Sequence, residues 1–201
     1  MKILVSLCAS VLIAVVIINF LPIHGEEAIY DNTVRLHVIA ASDSEEDQAL
    51  KLKVRDEVLA LVSSNLEGVS DKNTADKIIT SLTPDIERCA EEVLDREGKP
   101  SDVTVTFDHE KYPVRYYDDY TLPSGVYKSL KVTINEGAGQ NWWCVLFPSV
   151  CTADAKKAED AYVEAGFTPE QYRLIDNGSS SKYKVRFKVL EILSGIFGFD
   201  Y

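Results

Sequence analysis

The 201 residues predict an α+β fold: a single exported domain over residues 26–201, with an antiparallel or mixed sheet packed against several helices. A signal peptide or membrane-anchor helix precedes it in residues 1–25. Three observations carry this reading. The first residues form a long apolar run behind a single lysine. The middle of the chain repeats its apolar residues at helical spacing. After Pro100 the apolar period changes from 3.6 to 2, the mark of strands.

Lys2 is the first charge and Glu26 the next, and Ile3 to Leu21 between them is broken only by Ser6, Ser10 and Asn19. A run of this length is enough to cross a bilayer core as a helix. The basic start and acidic sequel orient it with the N-terminus inside and the rest outside. A cleaved signal peptide and an uncleaved anchor both fit, since Ile23-His24-Gly25 offers a weak cleavage site and no A-x-A. In either case residues 26–201 are exported, and membrane contact is through the N-terminal segment.

Thr33 to Ala40 alternates as a strand, with Val34, Leu36 and Val38 on one face and Arg35, His37 and Ile39 on the other. Ser42 with Glu45 three residues later reads as a capping box. Asp43, Glu45, Glu46 and Asp47 place acids where a helix dipole favours them. Leu50, Val54, Val58 and Leu61 continue the helix, and Asn65 and Gly68 stop it. A second helix is expected over residues 71–82. A third restarts at Thr83-Pro84, with Ile86, Cys89, Ala90, Val93 and Leu94 as its stripe and Gly98 as its end. Val103, Val105 and Phe107 share a strand face, as do Leu130, Val132 and Ile134, with Leu122–Gly125 as a turn between them. A glycine-containing loop over residues 135–141 leads to an apolar strand from Trp142 to Pro148. Asp154 to Ala165 reads as a helix, and residues 183–197 fit either strand or helix.

Composition narrows the function classes. A net charge of −11 repels phosphate, which argues against a nucleic-acid partner. No P-loop, G-x-S-x-G or H-E-x-x-H pattern occurs, and no cofactor is implied. Asp43, Glu45 and Asp47 alternate like calcium ligands, yet Gln48 and Val54 stand where such a loop needs Gly and Glu. An exported hydrolase using His37, Asp43 or Cys144 is the enzymatic alternative. It is weak, because Cys144 lies in an apolar strand that disfavours a thiolate. In an exported chain Cys144 and Cys151 are spaced to close a small disulfide loop, the alternative being two separate buried thiols. Cys89 falls on a helical apolar stripe and is expected in the core. Tyr112, Tyr116, Tyr117, Tyr120 and Tyr127 suit either an interface or a hairpin whose aromatics pair across strands. Trp142 and Trp143 point to opposite faces of their strand, so that one is core and the other an exposed anchor or a residue under the glycine loop.

Arg35 and His37 together on one strand face suggest that this face is not wholly core. With Asp43 and Asp47 beside them, and Trp142 and Trp143, they are the candidate partner-binding residues, the alternative being that Arg35, His37, Asp43 and Asp47 form an internal network that fixes the junction.

Two blocks carry a resemblance. Val34-Arg35-Leu36-His37-Val38-Ile39-Ala40-Ala41-Ser42-Asp43-Ser44-Glu45-Glu46-Asp47-Gln48, running into Lys51–Asp56, resembles the signature of the stage II sporulation protein R family. So do Asn141–Pro148 followed by Cys151, and the turn Leu122–Tyr127. Ala41 departs from the pattern, where a polar residue such as Asn is expected. The resemblance spans about residues 30 to 155 and implies a signalling protein, not an enzyme. Members are secreted from the forespore into the intermembrane space. There they activate a membrane-embedded aspartic protease of the mother cell, stage II sporulation protein GA, which removes the pro-sequence of the sigma-E precursor.

Overall fold

A computed structural model describes residues 10–11, 26–149 and 158–177. Four strands form a mixed sheet in the order β2-β5-β1-β6. They are β1 (Val34–Ile39), β2 (Val103–Tyr112), β5 (Gly125–Ile134) and β6 (Asn141–Phe147). β1 runs parallel to β5 and antiparallel to β6, while β2 and β5 are antiparallel. A two-stranded ribbon, β3 (Arg115–Tyr116) and β4 (Thr121–Leu122), interrupts the β2–β5 connection. The helices are α1 (Glu26–Asp31), α2 (Glu45–Asn65), α3 (Lys72–Arg96), α4 (Ala158–Glu164) and α5 (Pro169–Arg173). The architecture is therefore α+β with a mixed sheet, as expected. The N-terminal signal or anchor segment, Cys151 and residues 183–197 lie outside the described residues, and among those described no helix is long and apolar enough to cross a membrane.

The two sheet faces are buried in different ways. Val34, Leu36 and Val38 join Val103, Val105, Leu130, Val132, Cys144 and Leu146 in one core. Leu50, Val54, Val58 and Val62 of α2 and Ile79, Ile86, Ala90 and Val93 of α3 cover it. The strand parity holds: Phe107 stands opposite Leu130, Val105 opposite Val132 and Val103 opposite Ile134. The second face has its own aromatic core, in which Tyr112, Tyr127 and Val145 meet Ile29, Tyr120, Leu122, Tyr162, Phe167 and Tyr172. A sheet covered on both faces makes β1 an interior strand on both its sides.

Two local expectations are corrected. The two helices expected around Thr83-Pro84 are one continuous helix with Pro84 inside it. Ile79, Ile86, Ala90 and Val93 keep a single buried stripe across the proline. Burial of that stripe outweighs the roughly 3 kcal/mol that an interior proline costs. The cap of α2 is Ser44, whose side chain accepts from Asp47 N at 3.1 Å, and not Ser42. α1 and α5 carry too few residues to show a period in sequence.

The glycine loop closes over the β1–α2 junction. Asn135 and Gly137 take positive φ, and Gly139 N donates to Ala40 O at 2.9 Å. A Cβ added at Gly139 would lie 2.3 Å from Ser42 O and 2.9 Å from Ala40 Cβ. Gly139→Ala is therefore expected to lower unfolding free energy by about 1–3 kcal/mol in denaturant titration, whereas alanine at exposed Gln140 should change it by about 0.5 kcal/mol or less.

Candidate functional site

Arg35 is 0% exposed and His37 6% exposed, which corrects the expectation that their strand face is partly open. The physical reason is the aromatic layer. The Arg35 guanidinium lies 4.3 Å from the Tyr112 ring centre, 5.0 Å from Tyr127 and 5.9 Å from Tyr117. Its Nε donates to Cys144 O at 3.2 Å and its Nη2 to Tyr117 Oη at 2.8 Å. Its Nη1 is buried without a hydrogen-bond acceptor. Three aromatic faces thus offset the charge in place of a carboxylate, through cation–π attraction strengthened by desolvation. Burial in turn pushes the Tyr112 and Tyr120 phenols above their ordinary value, so both stay neutral.

His37 is tied from both ring nitrogens. Nδ1 lies 3.1 Å from each Glu110 carboxylate oxygen, and Nε2 lies 2.7 Å from Asn141 Oδ1. Glu110 also accepts from Lys131 Nζ at 2.8 Å and from Ser129 Oγ at 3.0 Å, and Ser129 bonds Tyr112 Oη at 2.7 Å. Burial raises the Glu110 carboxyl, but the Lys131 and His37 contacts prevail and hold it below its ordinary value. This chain links β2, β5, β1 and the first residue of β6 across the width of the sheet.

Asp47 and Asp43 part company. Asp47 is buried, accepting from Lys99 Nζ at 2.7 Å and from the Ser42 hydroxyl. The Lys99 bond, then the Ser42 bond, hold its carboxyl below its ordinary value. Gln48 Nε2 donates to Ser42 O at 2.8 Å. Lys51 Nζ donates to Gln48 Oε1 at 2.6 Å and to Gln140 O at 3.1 Å. Five side chains and the glycine loop therefore clasp one junction. Asp43, Glu45 and Glu46 stay exposed on its outside.

Trp142 and Trp143 are each half-buried and do divide between the two faces. Neither is an exposed anchor, one of the two alternatives for the outer tryptophan, because an arginine covers each ring: Arg55 at 4.8 Å over Trp142 and Arg115 at 3.4 Å over Trp143. Of the tyrosines, Tyr112, Tyr120 and Tyr127 are buried, and Tyr116 is exposed. Glu110, Asn141, Ser129 and Lys99 are the residues that sequence reading missed. Glu110 falls on an alternating strand next to polar neighbours, and nothing local marks it as the partner of His37.

The enzymatic set does not assemble. Cys144 stands opposite Leu36, on the helix-covered face, while His37 points to the aromatic face. Cys144 is disulfide-bonded, both His37 nitrogens are engaged elsewhere, and Asp43 lies exposed at the helix entrance. Cys89 is the free cysteine among the described residues and is only partly buried, less enclosed than its stripe position suggests. No group of three metal-ligating side chains occurs among the described residues.

Mixed-sheet topology, a separately covered aromatic face and a clasped acidic strand-to-helix junction define a two-core α+β domain whose buried polar residues hold its layers together. Residues 30–157 match the family described as Stage II sporulation protein R (spore_II_R), and the chain belongs to that family. It is 35% identical over 129 residues to Stage II sporulation protein R of Bacillus subtilis (strain 168), covering 64% of this chain and 58% of that protein. The chain thus spans a little over half the length of that curated relative. No solved structure matches.

Two stability predictions follow from this geometry. Arg35→Ala should lower unfolding free energy by about 3 kcal/mol or more, since it opens a cavity and strands the Tyr117 hydroxyl and Cys144 carbonyl. Arg35→Met, which restores the volume and removes the buried charge, should recover part of that loss in the same denaturant titration. Asp47 has a depressed folded-state carboxyl, so its stabilisation is complete above the unfolded carboxylate range near 3.8 and disappears as pH falls through the lower folded value. The melting-temperature gap between wild type and Asp47→Asn should accordingly be full at neutral pH and close at strongly acid pH.

Proposed function

We propose that this chain is an extracytoplasmic signalling protein of endospore formation. It is exported from the forespore into the intermembrane space and activates the membrane-embedded aspartic protease, stage II sporulation protein GA, which then processes the sigma-E precursor. Family membership supports the sporulation role. The observation that carries the binding role is the β1–α2 junction. Asp43, Glu45 and Glu46 are presented outward from a clasp that immobilises the backbone behind them. A rigid scaffold that positions an exposed polar junction is the usual construction of a recognition site.

In this reading the six sequence-picked residues divide. Asp43 and the half-buried edge of Trp142 meet the protease's outer loops. Arg35, His37, Asp47 and Trp143 hold that surface in place from within. Reconstituting the protease and the precursor in vesicles, with this chain added on the extracytoplasmic side, should yield cleavage that depends on the added protein. Asp43→Ala should reduce cleavage several-fold with a melting temperature near wild type, whereas Trp142→Ala, which also uncovers part of the helix-covered core, should lower both. Arg35→Ala should lose cleavage and melting temperature together. Precursor cleavage that is indifferent to the added chain would overturn the activator role.

The bond at Cys144 is proposed to run to Cys151, closing a short loop after β6. Alkylation of unreduced protein should tag Cys89 and leave both Cys144 and Cys151 untagged in the mass spectrum, and a tag on Cys151 would reject the pairing.

A further inference from the structure

The helices that cover the first sheet face stop short of one end. At that end the face positions of β2 and β5 are His109, Lys111, Lys128 and Val126. His109 and Lys111 are exposed, and Val126 is 53% exposed. The next face residue inward, Leu130, is fully buried, so cover ends within one side-chain repeat. Val114 and Tyr116 follow β2 directly and are 37% and 75% exposed. Among the described residues neither Lys111 nor Lys128 lies in a salt bridge; the Lys128 ammonium sits 4.8 Å over the Phe107 ring, and after the His109 backbone bond its charge helps to lower the Asp108 carboxyl. The chain has 32 acidic residues against 21 basic ones. Two lysines that make no salt bridge among the described residues, beside exposed Val126 on the same face, therefore stand out at this end of the sheet.

The same end of the sheet is where the chain enters the domain. Tyr30 of α1 packs on Gly125, where a Cβ would lie 2.4 Å from its ring, and its hydroxyl donates to Ser124 O at 3.1 Å. Four residues separate Tyr30 from Glu26, about 6 Å along a helix axis. The apolar run ending at Leu21 lies just upstream in sequence. The acids of α1 do not share the lysine face, because α1 packs by Ile29 into the aromatic core on the other side. His109 is the titratable neighbour on β2, and Asp108 beside it belongs to the opposite face.

We propose that this uncovered sheet end, centred on Lys111, Val126 and Lys128, rests on an anionic bilayer surface. The lysines meet lipid phosphates, and Val114, Tyr116 and Val126 enter the headgroup layer. Aromatic and aliphatic side chains flanked by lysines are the composition that interfacial contact selects. Anionic headgroups attract each nearby lysine strongly enough to shift partitioning about 5-fold. The orientation aims the β1–α2 junction, at the other end of β1, away from the lipid. The proposal rests on the reading of residues 3–21 as a membrane anchor, and the test separates the two.

Full-length chain is reconstituted in vesicles of phosphatidylcholine alone and in vesicles with about a third phosphatidylglycerol. Amide hydrogen exchange is then followed over residues 107–130. The expected result is slower exchange of residues 111–116 and 124–128 on the anionic vesicles only. This protection should fade as salt rises through the range where the Debye length falls below about 8 Å. It should be lost in Lys111→Glu/Lys128→Glu, with the melting temperature unchanged. Anchoring to both vesicle types with no protection of the strip would overturn the bilayer contact and leave the anchor standing. Recovery of the chain free of both vesicle types would overturn both readings. Protection by added polyglutamate and not by anionic vesicles would reassign the surface to an acidic polypeptide and overturn the proposal.

Discussion

The burial of Arg35 is the interaction on which the rest of the domain depends. A guanidinium at the centre of a sheet needs its charge offset and its donors placed. Here Tyr112 and Tyr127 supply ring faces, Tyr117 supplies a ring face and a hydroxyl, and Cys144 supplies a carbonyl. These partners come from β2, β5, β6 and the excursion between β2 and β5. The excursion is therefore a structural lid, not a decorative insertion. Tyr120, from the same excursion, carries the packing outward to Tyr162 and through it to Phe167. Removing the arginine would unseat a layer and not a single contact.

The second constraint is the clasp at the end of β1. A strand that turns into a helix within five residues leaves backbone donors exposed and a loop free to move. Ser44 caps the helix, Asp47 takes the Lys99 ammonium and the Ser42 hydroxyl, and Lys51 reaches across to Gln140. Gly139 must be glycine because the Ser42 carbonyl occupies the space of a side chain. The clasp and the His37–Glu110–Asn141 chain meet at the glycine loop, through Gln140 and Asn141. Both networks therefore fix the same loop from opposite faces of the sheet, and a displacement of either is felt by the other.

Charge is distributed unevenly by the same architecture. Acids crowd the outward side of α2's first turn, and Lys111 and Lys128 stand at the far end of β2 and β5. β1 lies between the two regions, so one rigid sheet separates an acidic end from a basic, partly apolar end.

Local periodicity determined much of this from sequence. The alternation of Val34, Leu36 and Val38, the stripe of Leu50, Val54 and Val58, and the pairing of Val103–Phe107 with Leu130–Ile134 are short-range patterns, each written in consecutive residues. The helix stops at Gly68 and Gly98, both with positive φ, follow from the one residue that adopts that conformation freely. What covers the other side of β1 is not written locally. Arg35 and His37 look like surface residues until a register brings Glu110, 73 positions away, and Asn141, 104 positions away, onto the same imidazole. Pro84 looks like a helix boundary until the stripe on either side is buried by the same sheet. Sequence settled which residues share a face, because parity and helical pitch are properties of neighbouring bonds. Only tertiary structure decided which faces are covered and by what, because that depends on the packing of layers whose members lie far apart in the chain.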